Sequence, residues 1–266
     1  AGMARLGGSS FVISAGNGTW QLETRRGAIM DGVAAEHVRE GVPVLSHYCD
    51  VLGIRAFAGG TNLNEDLAET SFREMTSLVA KPVINMESAV NHPCQALADW
   101  KTMDDLGLPQ RAKFVLSWVN HPRALPLAVP SATVHMAAMR GMDVVVLRPE
   151  GFALPDAIMA KARAAADSAG GTLRETSNRA EALAGAQVVY AKEWGCTSHY
   201  GNADVDRELR SKLIDWCVRD SWFEHTLADC RLMHCLPVRR NVAVADEVLD
   251  SARSVVQREA YNRMTV

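Results

Sequence analysis

At ~150 residues per domain, 266 residues allow one large domain or two ordinary ones, and 48% hydrophobic with 22% charged residues is the composition of a folded globular chain. The 28 Lys+Arg against 31 Asp+Glu leave a formal net charge of −3 with no long run of either sign, so the basic footprint of a general nucleic-acid binder is missing. No apolar run approaches the ~20 residues that span a bilayer, and six scattered cysteines without a C-x-x-C pair suit reduced thiols in a cytoplasmic protein better than a disulfide framework or a zinc site.

In chain order, residues 1–8 read as the last turn of a helix stopped by Gly7-Gly8. Short β-branched runs at 11–14, 51–57, 82–86, 113–119, 143–148, 187–191, 231–235 and 254–257 then alternate with helical patterns. The helical patterns lie near 36–49, 65–79, 92–106, 127–140, 155–168, 178–184 and 244–250. The alanine-rich stretch from Asp156 to Ala169 is the strongest helix former, closed by Gly170-Gly171. From Glu259 onward another helix begins, and because both ends read as mid-helix we expect an internal segment of a longer protein. Strand–helix alternation predicts an α/β fold of two doubly wound parallel-sheet domains, divided near Gly107-Leu108-Pro109 into 1–107 and 108–257. Ligands in such sheets sit beyond the carboxyl ends of strands, so motifs that follow strands carry the most weight.

Four such motifs stand out. Asn91-His92-Pro93-Cys94-Gln95 follows a strand; Asn91 suits a helix cap and Pro93 a first turn. His92 and Gln95 would then sit at a helix N-terminus, where an imidazole N–H can stabilise charge growing on a substrate carbonyl; a plain capping turn with a surface histidine fits the same residues. Met233-His234-Cys235-Leu236-Pro237 ends a strand in a proline that leaves nearby carbonyls free to accept. Arg239 and Arg240 follow, suited to a carboxylate or phosphate, or to solvent. A metal or thiol-nucleophile reading of His-Cys lacks a second ligand pair or an oriented base. Tyr190-Ala191-Lys192-Glu193-Trp194-Gly195 offers a lysine and a tryptophan for a substrate carboxylate and its aliphatic stem, or a loop lysine beside a core tryptophan. Three prolines between Pro122 and Pro130 make a stiff loop able to shape a pocket. Glu87 and Arg55 end strands, and Trp20 is either packed locally or exposed to cover a neighbour's site. No G-x-G-x-x-G, P-loop or G-x-S-x-G occurs.

Together, H-P-x-Q at 92–95 followed much later by H-C-L-P at 234–237 closely resembles the transcarbamylases, the aspartate and ornithine carbamoyltransferases, over essentially the whole chain. R-R-N-V after H-C-L-P, the A-K-x-W-G segment and the proline-rich loop look like the N-acylornithine branch. The resemblance implies a carbamoyl phosphate-binding domain (1–107), an amino-acid-binding domain (108–257) and a C-terminal helix (258–266) returning to the first. It implies that His92 and Arg55 hold the carbamoyl oxygen or phosphate, that Gln95 contacts the carbamoyl amide, and that Arg263 reaches back to the same site. Main-chain carbonyls of Cys235 and Leu236 would receive the carbamoyl NH2 or the incoming amine. Glu87, Lys192, Arg239 and Leu236 would bind the amino acid, with Trp20 bordering its acyl group. No cofactor, metal or covalent intermediate is implied.

The partners so implied are carbamoyl phosphate and an N-acylornithine, with N-acetyl-L-ornithine preferred over N-succinyl-L-ornithine. Also implied are a homotrimer sharing sites across its interfaces, and a trefoil knot in which 234–257 threads a loop containing the proline-rich segment. Free ornithine or another amine is the alternative acceptor, and a non-catalytic binding homologue the alternative role. The family's phosphate-gripping S-x-R-T-R segment belongs before Ala1, so little or no turnover is expected from these 266 residues alone. Ala35 stands where the acetyl enzyme has Glu and the succinyl enzyme Pro; Ala243 replaces a lysine and Tyr261 a Glu.

Overall fold

The computed structural model describes residues 2–16 and 19–266. Helix α1 (Gly2–Arg5) precedes strands β1 (Gln21–Glu23) and β2 (Ala34–His37), which pair in parallel. Helix α2 (Val38–His47) leads to β3 (Leu52–Arg55), and helices α3 (Leu63–Ala68) and α4 (Thr70–Ser77) lead to β4 (Val83–Glu87); β3 and β4 form a second parallel pair. Helix α5 (Pro93–Asp105) then carries the chain to β5 (Lys113–Trp118), β6 (Asp143–Leu147), β7 (Thr172–Thr176), β8 (Val188–Lys192) and β9 (Arg231–Met233). These make a five-stranded parallel sheet in the order β7-β6-β5-β8-β9. Its connections and tail contain α6 (Ala128–Met139), α7 (Asp156–Ala169), α8 (Arg179–Leu183), α9 (Ala203–Ser211), α10 (Asp246–Leu249) and α11 (Val256–Asn262). Among the described residues, no helix is long and apolar enough to cross a membrane.

The sheet follows from its residues. β8 is buried at every position and β5 and β6 at all but their first; since alternate side chains point to opposite faces, both faces are covered, as near-continuous runs such as Val-Val-Val predict. Helix α6 is apolar almost all round and buried accordingly. Trp118 and Trp194, both fully buried, weld the carboxyl ends of β5 and β8: Trp118 Nε1 donates to the Trp194 carbonyl at 3.0 Å, and Trp194 Nε1 to the Phe152 carbonyl at 2.9 Å. From β5 the chain winds outward to β6 and β7, then crosses to β8 on the other side. The switch point therefore lies between the carboxyl ends of β5 and β8, beside Lys192, the place where such sheets bind ligands.

Several expected elements differ. Residues 11–14 form no strand; Phe11, Val12 and Ile13 are exposed, and β propensity without a neighbouring strand does not make a ladder. The helix expected over 65–79 breaks at Glu69, whose left-handed φ of 52° ends α3 and starts α4. The expected strand at 254–257 reduces to one bridge from Ser254 to Leu232 before α11 begins. β1, β2, β7 and α9 escaped the sequence reading because each is polar: β7 has no fully buried residue, and α9 buries only Asp206 and Arg210.

The loop after β8 is strapped to the first half of the chain. The Tyr200 hydroxyl donates to Asp66 Oδ2 at 2.7 Å, and the same carboxylate accepts from the N–H groups of Gly59 and Gly60. Gly201 beside it has φ +82°, and a Cβ there would strike the Thr61 carbonyl oxygen. Gly201→Ala should therefore lower unfolding free energy by about 2 kcal/mol, through left-handed strain and a backbone clash. An unchanged chemical-denaturation midpoint would show that this contact does not constrain the fold.

Candidate active site

A half-open cavity of about 260 Å³ lies at the switch point. The first half of the chain contributes Arg55, Glu87, His92 and Gln95; the second contributes Leu125 and Pro126 of the proline-rich loop, Lys192, Cys235 and Leu236; α11 is followed by Arg263, which also reaches the cavity.

On the first wall, His92 rather than Asn91 occupies the N-cap position of α5, its side chain making no cap bond, with Pro93 in the first turn. The Asn91 carbonyl is instead turned to the Ser88 N–H at 2.8 Å. His92 is buried, its Nδ1 has no partner, and its Nε2 lies 3.7 Å from Glu87 Oε2. Burial pushes its pKa down to about 4; Glu87 opposes that shift, and Arg263 and Arg55 add to it. The imidazole is thus neutral at neutral pH, with one N–H to donate and no charge to repel an arginine. Glu87 accepts two bonds from the Arg55 guanidinium, at 3.0 and 2.7 Å, and Arg55 also stacks over Phe57 at 4.4 Å. Arg263 donates to Gln95 Oε1 at 2.7 Å, and Gln95 Nε2 donates to Asp99 Oδ1 at 2.7 Å.

The opposite wall is a turn held from behind. Leu236 has φ +52° and precedes a cis proline. Its N–H donates to His234 Nδ1 at 3.0 Å, so the ring hydrogen sits on Nε2, which donates to Glu193 Oε2 at 3.2 Å. No N–H or side-chain donor among the described residues pairs with the Cys235 or Leu236 carbonyl, so both remain able to accept. Burial pushes the Cys235 thiol up to about 12, with Lys192 pulling the other way; it is a neutral thiol, not a ready nucleophile. Lys192 is buried 3.2 Å from Glu193. Burial works against the Lys192 charge, but anionic neighbours including Glu193 outweigh it and raise its pKa. Burial likewise opposes the Glu193 charge, yet Lys192 and His234 hold the carboxyl down at about 2. The result is a single ammonium presented to the cavity with its counter-charge behind it.

Of the residues singled out in the sequence, His92, Arg55, Gln95, Glu87, Lys192, Cys235, Leu236 and Arg263 converge. Arg239 is exposed and outside the cavity lining. Trp20 lies elsewhere, in an open concavity of about 540 Å³ with Met30, Ala35, Glu36, His37 and Glu40, its Nε1 donating to Glu36 Oε2 at 2.7 Å. Trp194, the other half of the lysine–tryptophan motif, is core. Asp99, Glu193, His234 and Glu259 support the lining residues; Asp99 lies outside every motif and the other three stand inside motifs without a role of their own, and the signal for Asp99 and Glu259 is spacing, since each stands four residues along a helix from Gln95 or Arg263.

Residues 1–105 match the family model for the carbamoyl-P binding domain of aspartate/ornithine carbamoyltransferase, and residues 128–266 the model for its Asp/Orn binding domain. The chain belongs to the aspartate/ornithine carbamoyltransferase family. This carbamoyltransferase is similar to the N-succinylornithine carbamoyltransferase of Bacteroides thetaiotaomicron, 36% identical over 97% of this chain and 76% of that protein. It is also similar to the N-acetylornithine carbamoyltransferase of Xanthomonas campestris, 34% identical over 100% of this chain and 79% of that protein. The crystal structure of acetylornithine transcarbamylase complexed with acetylcitrulline superposes with a TM-score of 0.94 at 35% identity, covering 99% of this chain and 79% of that one.

A neutral His92 has a measurable consequence. In an NMR titration its imidazole should show a midpoint of about 4, and a midpoint at or above the ordinary 6.5 would contradict the buried, neutral assignment. Because the unfolded chain takes up this proton near 6.5 and the native one only near 4, stability should fall as pH drops through that window.

Proposed function

We propose that this carbamoyltransferase moves the carbamoyl group of carbamoyl phosphate to the δ-amine of an N-acylated ornithine, N-acetyl-L-ornithine before N-succinyl-L-ornithine, as a step of arginine biosynthesis. The single observation that carries the reading is that a neutral imidazole at 92 and the unpaired carbonyl-bearing residues 235 and 236 line one small cavity together with Arg55 and Arg263. Carbamoyl phosphate has a carbonyl oxygen that needs a donor, an NH2 that needs acceptors and a phosphate that needs cations. His92 and Gln95 meet the carbamoyl group, Arg55 and Arg263 the phosphate, and the Cys235 and Leu236 carbonyls the amino hydrogens. The neutral δ-amine attacks the carbamoyl carbon, a C–N bond forms, the C–O bond to phosphate breaks, and the proton lost by the amine leaves with inorganic phosphate. Preorganised donors gain most as charge grows on the carbonyl oxygen in the transition state.

Lys192 binds the acceptor's carboxylate, with Glu87 and Arg239 on its other polar groups. The division into 1–107 for carbamoyl phosphate, 108–257 for the amino acid and 258–266 as the returning helix follows from this placement. Trp20 and Ala35 share a concavity outside the cavity of their own chain, which fits a homotrimer in which they border the acyl group bound by a neighbour. Glu36 and Glu40 line the same concavity; their charge opposes the carboxylate of a succinyl group and tolerates an acetyl, which supports the acetyl preference where Ala35 supplies no selecting side chain. A cytoplasmic location fits six cysteines that are all unpaired.

The test is the assay of carbamoyl transfer to N-acetylornithine, N-succinylornithine and ornithine side by side. The acetyl substrate should lead in kcat/KM by about tenfold or more, the equivalent of one repelled charge at about 1.4 kcal/mol. Free ornithine in first place would overturn the acyl reading. His92→Ala should reduce kcat by about 10²–10³ if its N–H serves the growing oxyanion, and an unchanged kcat would remove it from that role.

A further inference from the structure

Behind the cavity, α5 and α11 face one another with two carboxyl groups between them, Asp99 and Glu259, neither exposed to solvent. One oxygen of each has a donor: Gln95 Nε2 reaches Asp99 Oδ1 at 2.7 Å, and the His234 N–H reaches Glu259 Oε2 at 2.9 Å. Their remaining oxygens, Asp99 Oδ2 and Glu259 Oε1, are buried without a paired donor, and each residue stands one helical turn from the 2.7 Å Gln95–Arg263 bond on helices packed against each other. Two carboxylates so placed would confront each other's lone pairs in a dry interior, which is among the costliest arrangements a fold can hold. A proton on one of them converts the repulsion into an O–H···O⁻ hydrogen bond of the strong, charge-assisted kind.

We infer that Asp99 and Glu259 share one proton and act as positioning residues for Gln95 and Arg263, with Glu259 the acid and Asp99 the carboxylate. The neighbours assign the roles. Asp99 accepts from Gln95, has the Tyr190 hydroxyl beside it and feels the Arg263 guanidinium, all of which favour its ionised form; Glu259 has only a backbone N–H for help. Burial lifts both carboxyls above the usual carboxylate range, Asp99 to about 6. The other titratable groups facing the pair are the Tyr190 hydroxyl on β8 and the Cys235 thiol, both pushed upward by burial and therefore neutral, with the Lys192–Glu193 ion pair beyond Cys235. An ionised Asp99 can only accept, so it fixes the Gln95 amide with its NH2 inward and its oxygen toward Arg263. Glu259, through the His234 N–H, fastens the same unit to the turn that carries the Cys235 and Leu236 carbonyls. One proton thus locks α5, α11 and the end of β9 in register.

The inference rests on the proposed function only for the identity of carbamoyl phosphate as ligand, and the test separates the two. Infrared spectra of the protein at neutral pH should contain the carbonyl stretch of a buried protonated carboxylic acid, and Glu259→Gln should remove it. Calorimetric titration with carbamoyl phosphate should show E259Q, which keeps a donor toward Asp99, within about threefold of the parent. Asp99→Asn, which removes the charge that orients Gln95, should weaken binding about tenfold or more, the scale of one charge-assisted hydrogen bond. An absent acid band, a band that survives in E259Q, or equal losses in the two variants would overturn the shared proton. Should D99N fail to fold, the band and its loss in E259Q still decide. A parent protein with the acid band but without affinity for carbamoyl phosphate would instead count against the proposed ligand.

Discussion

The hydrogen bond from Arg263 to Gln95 joins two residues that the sequence holds 168 positions apart and closes the tail of the chain onto the first wall of the cavity. Helix α5 carries His92 and Gln95 at its first turn, and the chain must travel through the whole five-stranded sheet before Arg263 returns to meet them. Asn262 reinforces the return, its amide reaching Thr102 Oγ1 at 2.8 Å on the far end of α5. This closure places the Arg263 guanidinium in the cavity lining and orients the Gln95 amide.

The electrostatics of the cavity are sorted by burial. Groups that would lose a proton-transfer contest with carbamoyl phosphate are kept out of it: His92 is neutral because it is desolvated, and Cys235 remains a thiol for the same reason. Lys192 keeps its charge against burial with Glu193 as its ion-pair partner, and Glu193 is in turn oriented by His234. Such a site polarises and orients its substrates without itself changing covalently, which suits a direct attack of an amine on a preorganised carbonyl.

How much of this could be read from residues alone divides along physical lines. The central strands were legible because runs such as those in β5, β6 and β8 are apolar without interruption, and their carboxyl ends pointed to the loops that line the cavity. His92, Gln95, Cys235 and Leu236 were legible from motif and neighbourhood, and Lys192 from its place at a strand end. The polar edge strand β7 and the charged helix α9 carry no apolar periodicity, so nothing local marks them. The support of the site was equally hidden. Asp99, Glu193, His234 and Glu259 matter through partners that only the tertiary fold supplies, and of the two readings of Trp194 the core one holds. Trp20 and Ala35 were grouped by resemblance, and the structure does place them in one concavity, away from the cavity of their own chain.

We propose that one carbamoyl group is gripped from both walls of the cavity at once. A crystal structure with carbamoyl phosphate and an N-acylnorvaline, which lacks the attacking amine, tests it most directly. The account predicts the carbamoyl carbon between the His92 ring and the Cys235 and Leu236 carbonyls, with the phosphate against Arg55 and Arg263. Carbamoyl phosphate found in the concavity beside Trp20, or in the cavity with its carbamoyl group turned away from His92, would contradict it.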